Sequence, residues 1–363
     1  MSFHPGKPRW SQAMDERLAV PPIYSPFQPA IHPRFAEIDR QTGEWAEKFG
    51  IGSAALRAQL VRQDIGQLAA RILPDAQPDV VQVLSDFVMW LFGVDDGCCE
   101  EGVEGADPHD LMPVLSRLLR VAQSPSAALL PDDPLARSMR DLRARMALFA
   151  TPAQATRWVE HLREYFMALV WEAVHRSRGT VPGLDDYTVI RIGDGAAATV
   201  APILEFAYGY ELDPNERDAP AARALAEMAC FVVSWDNDIF SFHKENRADA
   251  YVLNAVKVLR HEYGITAEEA LSLAIAQRDR VLIRFLAVRE TVLERASPEL
   301  RRYVDGLGTL IRAAQDWGIS SRRYTCPDDP ADLPEVFTDV PTDGSAEPLP
   351  IPSISWWWDD VRV

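Results

Sequence analysis

The strongest constraint on this chain is a period. From Arg34 to about Tyr324, apolar side chains recur at i, i+3, i+4 and i+7, the spacing that lines one face of an α-helix. The segments 55–72, 78–96, 110–123, 133–149, 153–178, 197–211, 220–244, 267–295 and 298–318 carry it, with short Pro, Gly or Asp clusters between them. No stretch shows the two-residue alternation of a half-buried strand, and no internal repeat emerges. The expected fold is therefore all-α, one body of long helices. Two flanks differ in character. Residues 1–34 are proline-rich, and PPIYSPFQPAIHP (21–33) cannot be helix, so it is expected as an extended strap over the body. Residues 326–363 hold seven prolines and nine acids against one arginine. They read as an irregular tail, though the ending ISWWWDD is too aromatic for a purely solvated linker. The expected organisation is a strap (1–34), a helical body (35–325) and an acidic tail with a Trp cluster (326–363).

Charge removes several function classes. The chain carries 54 acidic and 37 basic side chains, a net −17, which disfavours nucleic acid and anionic membrane surfaces as partners. The apolar run Phe87–Val94 is far short of the ~18 to 20 residues that span a bilayer. The opening MSFHPGKPRW lacks the apolar core of a secretory signal. Cys98, Cys99, Cys230 and Cys326 form no CxxC pair, so reduced thiols in a cytoplasm are expected. The seven histidines lack zinc-site spacing, and there is no P-loop, G-x-S-x-G or dinucleotide-binding glycine motif.

Two acidic clusters carry the candidate chemistry. In Phe87-Val-Met-Trp-Leu-Phe-Gly-Val-Asp95-Asp96-Gly-Cys-Cys-Glu100-Glu101, paired carboxylates end the most apolar helical segment. Burying them there is costly unless something neutralises them, and a hard divalent cation would do so. An acidic helix end at the surface is the other reading. The second cluster is Trp235-Asp236-Asn237-Asp238-Ile-Phe-Ser241-Phe-His-Lys244-Glu245. Asn237, Ser241 and Glu245 lie at i, i+4 and i+8 on one helical face and offer three hard oxygen donors suited to Mg²⁺; the alternative is a polar stripe. Lys244 stands beside them as a possible phosphate contact. Asp236-Asn-Asp238 is not an EF-hand loop, because glycine is missing at its sixth position and Arg247 stands at the twelfth.

With these motifs in view, the chain resembles the bacterial class I terpene synthases over most of its length. Asp95-Asp96-x-x-x-Glu100 resembles the family's aspartate-rich motif, and Asn237-Asp238-x-x-Ser241-x-x-Lys244-Glu245 its second metal-binding motif. Arg191-Ile-Gly-Asp194-Gly195 resembles the diphosphate-sensing arginine, linker and effector, with the arginine 46 positions before Asn237. Trp317 with Arg323-Tyr324 resembles the tryptophan and RY pair that close over the diphosphate, and the strap resembles the family's N-terminal opening. The acidic motif departs from DDxxD, since Cys99 holds the +4 position and Glu100 is the usable acid. On the residues alone, Arg191 is equally a surface arginine before a turn, and Arg323-Tyr324 a basic helix end.

The resemblance implies a single antiparallel α-helical bundle around a deep apolar cavity. It implies Mg²⁺-dependent ionisation and cyclisation of a linear isoprenyl diphosphate, a small-molecule partner, with three ions expected. Asp95, Asp96, Glu100, Asn237, Ser241 and Glu245 would be metal ligands. Arg191, Lys244, Arg323 and Tyr324 would hold the diphosphate, with Asp194 and Gly195 completing the sensor. Phe87, Leu91, Phe92 and Trp317 would line the pocket, although aromatic stripes on helices also build ordinary cores. A homodimer is compatible with the family. Farnesyl diphosphate is the expected substrate, with geranyl and geranylgeranyl diphosphate as alternatives. A chain-elongating prenyltransferase would carry a second aspartate-rich motif, absent here. A non-catalytic helical scaffold is the remaining alternative.

Overall fold

A computed structural model describes residues 18–100, 105, 107–247, 252–324 and 332–359. The all-α expectation holds, with helices forming the body and two isolated backbone bridges as the extended pairing among the described residues. Helix starts follow local chemistry. Helices α4 (Pro78–Val94), α5 (Pro108–Gln123), α6 (Pro134–Met146), α7 (Pro152–Arg178), α12 (Pro220–Arg247) and α15 (Pro298–Ser320) all begin on proline, whose fixed φ suits the first turn and whose missing N–H costs nothing there. Asp107, Asp133, Thr151 and Ser297 cap four of them by accepting from backbone N–H groups. Thr151–Gln154 and Thr266–Glu269 form reciprocal capping boxes for α7 and α14 (Ala267–Leu293).

Four helices absent from the sequence segmentation are present: α1 (Phe35–Phe49), α8 (Leu184–Asp194), α13 (Ala255–Tyr263) and the four-residue α11 (Pro214–Arg217). The segment 55–72 divides into α2 (Ala54–Val61) and α3 (Ile65–Ile72), because Asp64 takes a left-handed φ of 56°. The segment 197–211 divides into the short α9 (Ala197–Val200) and α10 (Ile203–Ala207), with Pro202 at the joint. Helix α12 packs on α14 and α15, α4 on α1, α3 and α6, and α7 on α5 and α8, so the helices enclose a common centre. No helix among the described residues is long and apolar enough to cross a membrane.

The two flanks meet each other. Val20 N–H donates to the Asp332 carbonyl at 2.8 Å and Ser25 N–H to the Thr338 carbonyl at 3.0 Å. A buried polar network fastens this pair to the body. Arg278 of α14, fully buried, contacts Asp236 (2.9 Å), Asp279 (2.6 Å) and the Tyr24 carbonyl (2.6 Å). Gln315 of α15 donates to Asp236 at 2.9 Å and accepts from Ser25 at 2.6 Å. The tail contains a 3₁₀ turn, Pro352–Trp358, with Trp357 fully buried.

Candidate active site

Helix α4 delivers the first cluster. It is buried on almost every side, and the helix tightness changes where Asp95–Glu100 continues as a π-helical turn. Such turns re-aim side chains and recur at functional sites. Asp95 reaches the central cavity. Asp96 does not: both of its oxygens accept from Arg323, at 3.0 and 3.1 Å. Burial works against the Asp96 charge, but the Arg323 guanidinium outweighs it and holds the carboxyl below its ordinary value. Asp96, expected from the sequence as a metal ligand, is thus paired with Arg323 here. The side chain of Glu100 lies outside the described residues. Arg176 of α7 closes the segment by donating to the carbonyls of Cys99 (2.7 Å) and Gly105 (3.0 Å), and it pairs with Glu172 at 3.1 Å.

Helix α12 delivers the second cluster, and α8 locks onto it. Arg191 donates through Nη1 to Asp194 (2.9 Å), through Nε to Asp238 (2.9 Å) and through Nη2 to the Asn237 amide oxygen (2.7 Å). The Asn237 amide nitrogen donates to the Tyr324 hydroxyl, so one residue joins the arginine to the chain's RY end. Asp238 also accepts from the Tyr187 hydroxyl and from Ala255 N–H. Burial pushes the Asp238 carboxyl up to about 6, with Arg191 opposing the rise. Burial likewise raises Asp194 against the pull of Arg191, and lifts the Tyr324 hydroxyl to about 12. Ser241 is buried, and its hydroxyl makes a long contact, 3.5 Å, to the Asp238 carbonyl. Glu245 accepts from Asn254 at 2.9 Å. Lys244 is exposed.

Helix α8 stops where the sequence reads Gly-Asp-Gly. Gly195 packs so closely on Ser234 that a Cβ there would collide with the hydroxyl. The next residue, Ala196, takes a left-handed φ of 60°, a conformation costly for a residue with a side chain. Together they turn the chain so that Arg191, Asp194, Gly195 and Ala196 all face the cavity.

That cavity has an empty volume of about 930 Å³ including its mouth, within the range of small-molecule sites. Its wall is mostly apolar: Val88, Leu91 and Phe92 from α4, Leu310, Ala314 and Trp317 from α15. Phe92 stacks on Trp317 at 6.1 Å, and Trp317 meets Tyr324 edge-on at 5.7 Å. The Arg323 guanidinium lies 4.3 Å above Phe92. A smaller polar recess shares the mouth and is lined by Asp95, Glu172, Arg191, Asp194, Asn237 and Glu245, among others. Phe87 corrects the sequence reading, since it points into the core and meets Trp158 edge-on at 4.8 Å rather than lining the cavity.

Sequence reasoning missed Glu172, Tyr165 and the hub role of Asp238. Glu172 and Arg176 look like an ordinary surface i, i+4 pair in α7, and Tyr165 like a core aromatic. The cavity places both at the site. Among the described residues no group of three or more His, Cys, Asp and Glu side chains is arranged as a metal cage. The recess nevertheless fits a hard cation, because its donors are carboxylate and amide oxygens facing one polar space.

Comparison with known proteins bears on this arrangement. Residues 86–281 match the family model "Terpene synthase family 2, C-terminal metal binding". The chain is 38% identical to bonnadiene synthase of Allokutzneria albata, covering 97% of this chain and 99% of that one. It is 37% identical to a (+)-T-muurolol synthase of Streptomyces clavuligerus described as (2E,6E)-farnesyl diphosphate cyclizing, over 93% of this chain and 81% of that protein. The crystal structure of the SVS_A2 protein from ancestral sequence reconstruction superposes with a TM-score of 0.84 at 34% identity, covering 94% and 99% of the two chains.

Proposed function

The chain belongs to the bacterial class I terpene synthases, and from that premise we propose that Asp95, Asn237, Ser241 and Glu245 hold Mg²⁺ and that farnesyl diphosphate is the substrate. It is a lyase that releases diphosphate from an isoprenyl diphosphate and cyclises the chain, and its family binds a divalent metal. One observation carries the assignment of roles. An apolar, aromatic-walled cavity opens onto a rim of Asp95, Arg191, Asn237, Arg323 and Tyr324.

Bound at the rim, three Mg²⁺ ions on the family pattern would neutralise the diphosphate and stabilise it as a leaving group. The chain's own residues do the rest. Arg191, preset by Asp194 and Asp238, offers a planar guanidinium to phosphate oxygens, and Arg323 would offer a second by exchanging its Asp96 carboxylate for the diphosphate. Lys244 adds an exposed charge and Tyr324 a hydroxyl proton that burial keeps in place. The isoprenyl chain folds in the dry cavity, where the faces of Phe92, Phe240 and Trp317 stabilise positive charge and excluded water cannot quench it early. The farnesyl length is supported by the relative whose description includes that substrate. Against an elongating prenyltransferase stands the Asn237/Ser241/Glu245 pattern.

Incubation of the protein with Mg²⁺ and, separately, C10, C15 and C20 diphosphates tests the reading. A cyclic volatile product from the C15 substrate is expected. A product from C20 or C10 alone corrects the substrate, and no product from any of the three overturns the reading.

A further inference from the structure

Resting on the reading of Arg191 as a diphosphate contact, we propose that Trp357 of the C-terminal 3₁₀ turn is a positioning residue that braces the diphosphate-sensing end of the site from outside. The turn does not reach the cavity, so any effect passes through other side chains. A continuous buried stack supplies the route. The Trp357 ring meets Phe231 edge-on at 5.8 Å and 87°. Phe231 stacks face to face on Trp235 at 3.8 Å and 18°. Trp235 packs on Tyr187 at 5.6 Å, and the Tyr187 hydroxyl donates to Asp238, which holds Arg191. Trp357, Phe231, Trp235 and Tyr187 are all fully buried. In an interior packed at crystal density, a ring removed from one end of such a stack shifts its neighbours rather than leaving them in place.

The turn is also fastened to three helices. Trp357 Nε1 donates to Glu227 of α12 at 3.0 Å, and its carbonyl accepts from Arg284 of α14 at 2.7 Å. Ser353 N–H donates to Asp185, in the first turn of α8, at 2.8 Å. Helices α8 and α12 carry Arg191 and Asp238, so this turn fixes the joint between the two elements that aim the arginine. A tail that merely solvated the C-terminus would need no such fastening.

The test compares Trp357→Ala, Trp357→Phe, Phe231→Leu and Ile351→Ala, the last a buried tail residue outside the stack. Steady-state kcat and KM on the preferred isoprenyl diphosphate are measured below each variant's thermal midpoint. Trp357→Ala and Phe231→Leu are expected to lower kcat by about fivefold or more, through misplacement of a group that must be held in line. Trp357→Phe is expected to recover most of that loss, whereas Ile351→Ala lowers the midpoint and leaves kcat within about twofold of wild type. If Trp357→Ala does not fold, Phe231→Leu against Ile351→Ala makes the same comparison. Wild-type kcat in Trp357→Ala or Phe231→Leu overturns the proposal, and so does an equal loss in Ile351→Ala. An inactive wild-type protein would instead overturn the functional reading on which the proposal rests.

Discussion

Replacing Asp238 by asparagine perturbs the hub of the site while nearly preserving its shape. One carboxylate oxygen of Asp238 accepts from Arg191, at 2.9 Å from Nε and 2.8 Å from Nη2. The other accepts from the Tyr187 hydroxyl and, at 2.9 Å, from Ala255 N–H. Asparagine has one acceptor oxygen, and turning it toward Arg191 points the amide nitrogen at the other two donors. Tyr187 can rotate its hydroxyl to accept, but the Ala255 N–H cannot, so one buried donor is left without a partner. That costs about 1–3 kcal/mol of stability, whereas Asp238→Ala, which strips Arg191 of a buried counter-charge, costs roughly 3–5 kcal/mol. Arg191 then faces a neutral acceptor at position 238 in place of a carboxylate, with Asp194 as its charged partner and Asn237 beside it, and its aim at the diphosphate loosens. A displacement on the order of 1 Å at a positioning group lowers rate by up to about a hundredfold. Pyrophosphate release by Asp238→Asn, measured with Mg²⁺ and farnesyl diphosphate well below its thermal midpoint, should fall by that order. A variant with normal kcat and a reduced midpoint would refute the view that Asp238 aims Arg191.

Two further outcomes follow from particular contacts. Burial pushes the Asp86 carboxyl up to about 6, from an ordinary 3.8, despite Arg145 beside it. The folded chain therefore keeps this proton to higher pH than the unfolded chain does. Asp86 favours the fold most below pH 3.8 and loses that contribution as pH rises toward 6, a change of roughly 3 kcal/mol. Denaturant titrations across this window should show a shallower decline in Asp86→Asn, and identical slopes would contradict the buried-carboxyl account. At the cavity, a Cβ on Gly318 would press into the Phe240 ring. Gly318→Ala should therefore change the product distribution while pyrophosphate release continues; an unchanged product profile would show that this ring does not shape the cavity.

Much of the fold was legible because its cues are local. Proline at a first helical position and Asp, Thr or Ser just before it mark the starts of α5, α6, α7 and α15 within a residue or two. The break at Asp64 was not legible, since nothing in a run of helix-compatible residues announces a left-handed φ. Phe87 shows a second limit. Helix α4 is buried nearly all round, so its apolar pattern cannot tell the side facing a cavity from the side facing the core. The site divides the same way. Asn237, Ser241 and Glu245 share a face by spacing alone, but the pairing of Asp96 with Arg323 spans 227 residues, and that of Arg278 with Asp236 spans 42. Such contacts belong to the packed bundle. The tail was half legible: three tryptophans in a row ruled out a plain linker, and only packing shows that Trp357 docks on Phe231.

The central claim is that the Asp95 and Asn237/Ser241/Glu245 clusters act together as one metal-dependent ionisation site. Its most direct measurement is pyrophosphate release from farnesyl diphosphate by wild type and Glu245→Gln, each with Mg²⁺, with EDTA, and with Mg²⁺ restored. Wild type should release pyrophosphate with Mg²⁺, stop with EDTA and recover when Mg²⁺ returns. Glu245→Gln should need more Mg²⁺ and lose on the order of a hundredfold in kcat at subsaturating metal. Turnover by wild type in EDTA, or unchanged turnover and Mg²⁺ dependence in Glu245→Gln, would contradict the claim.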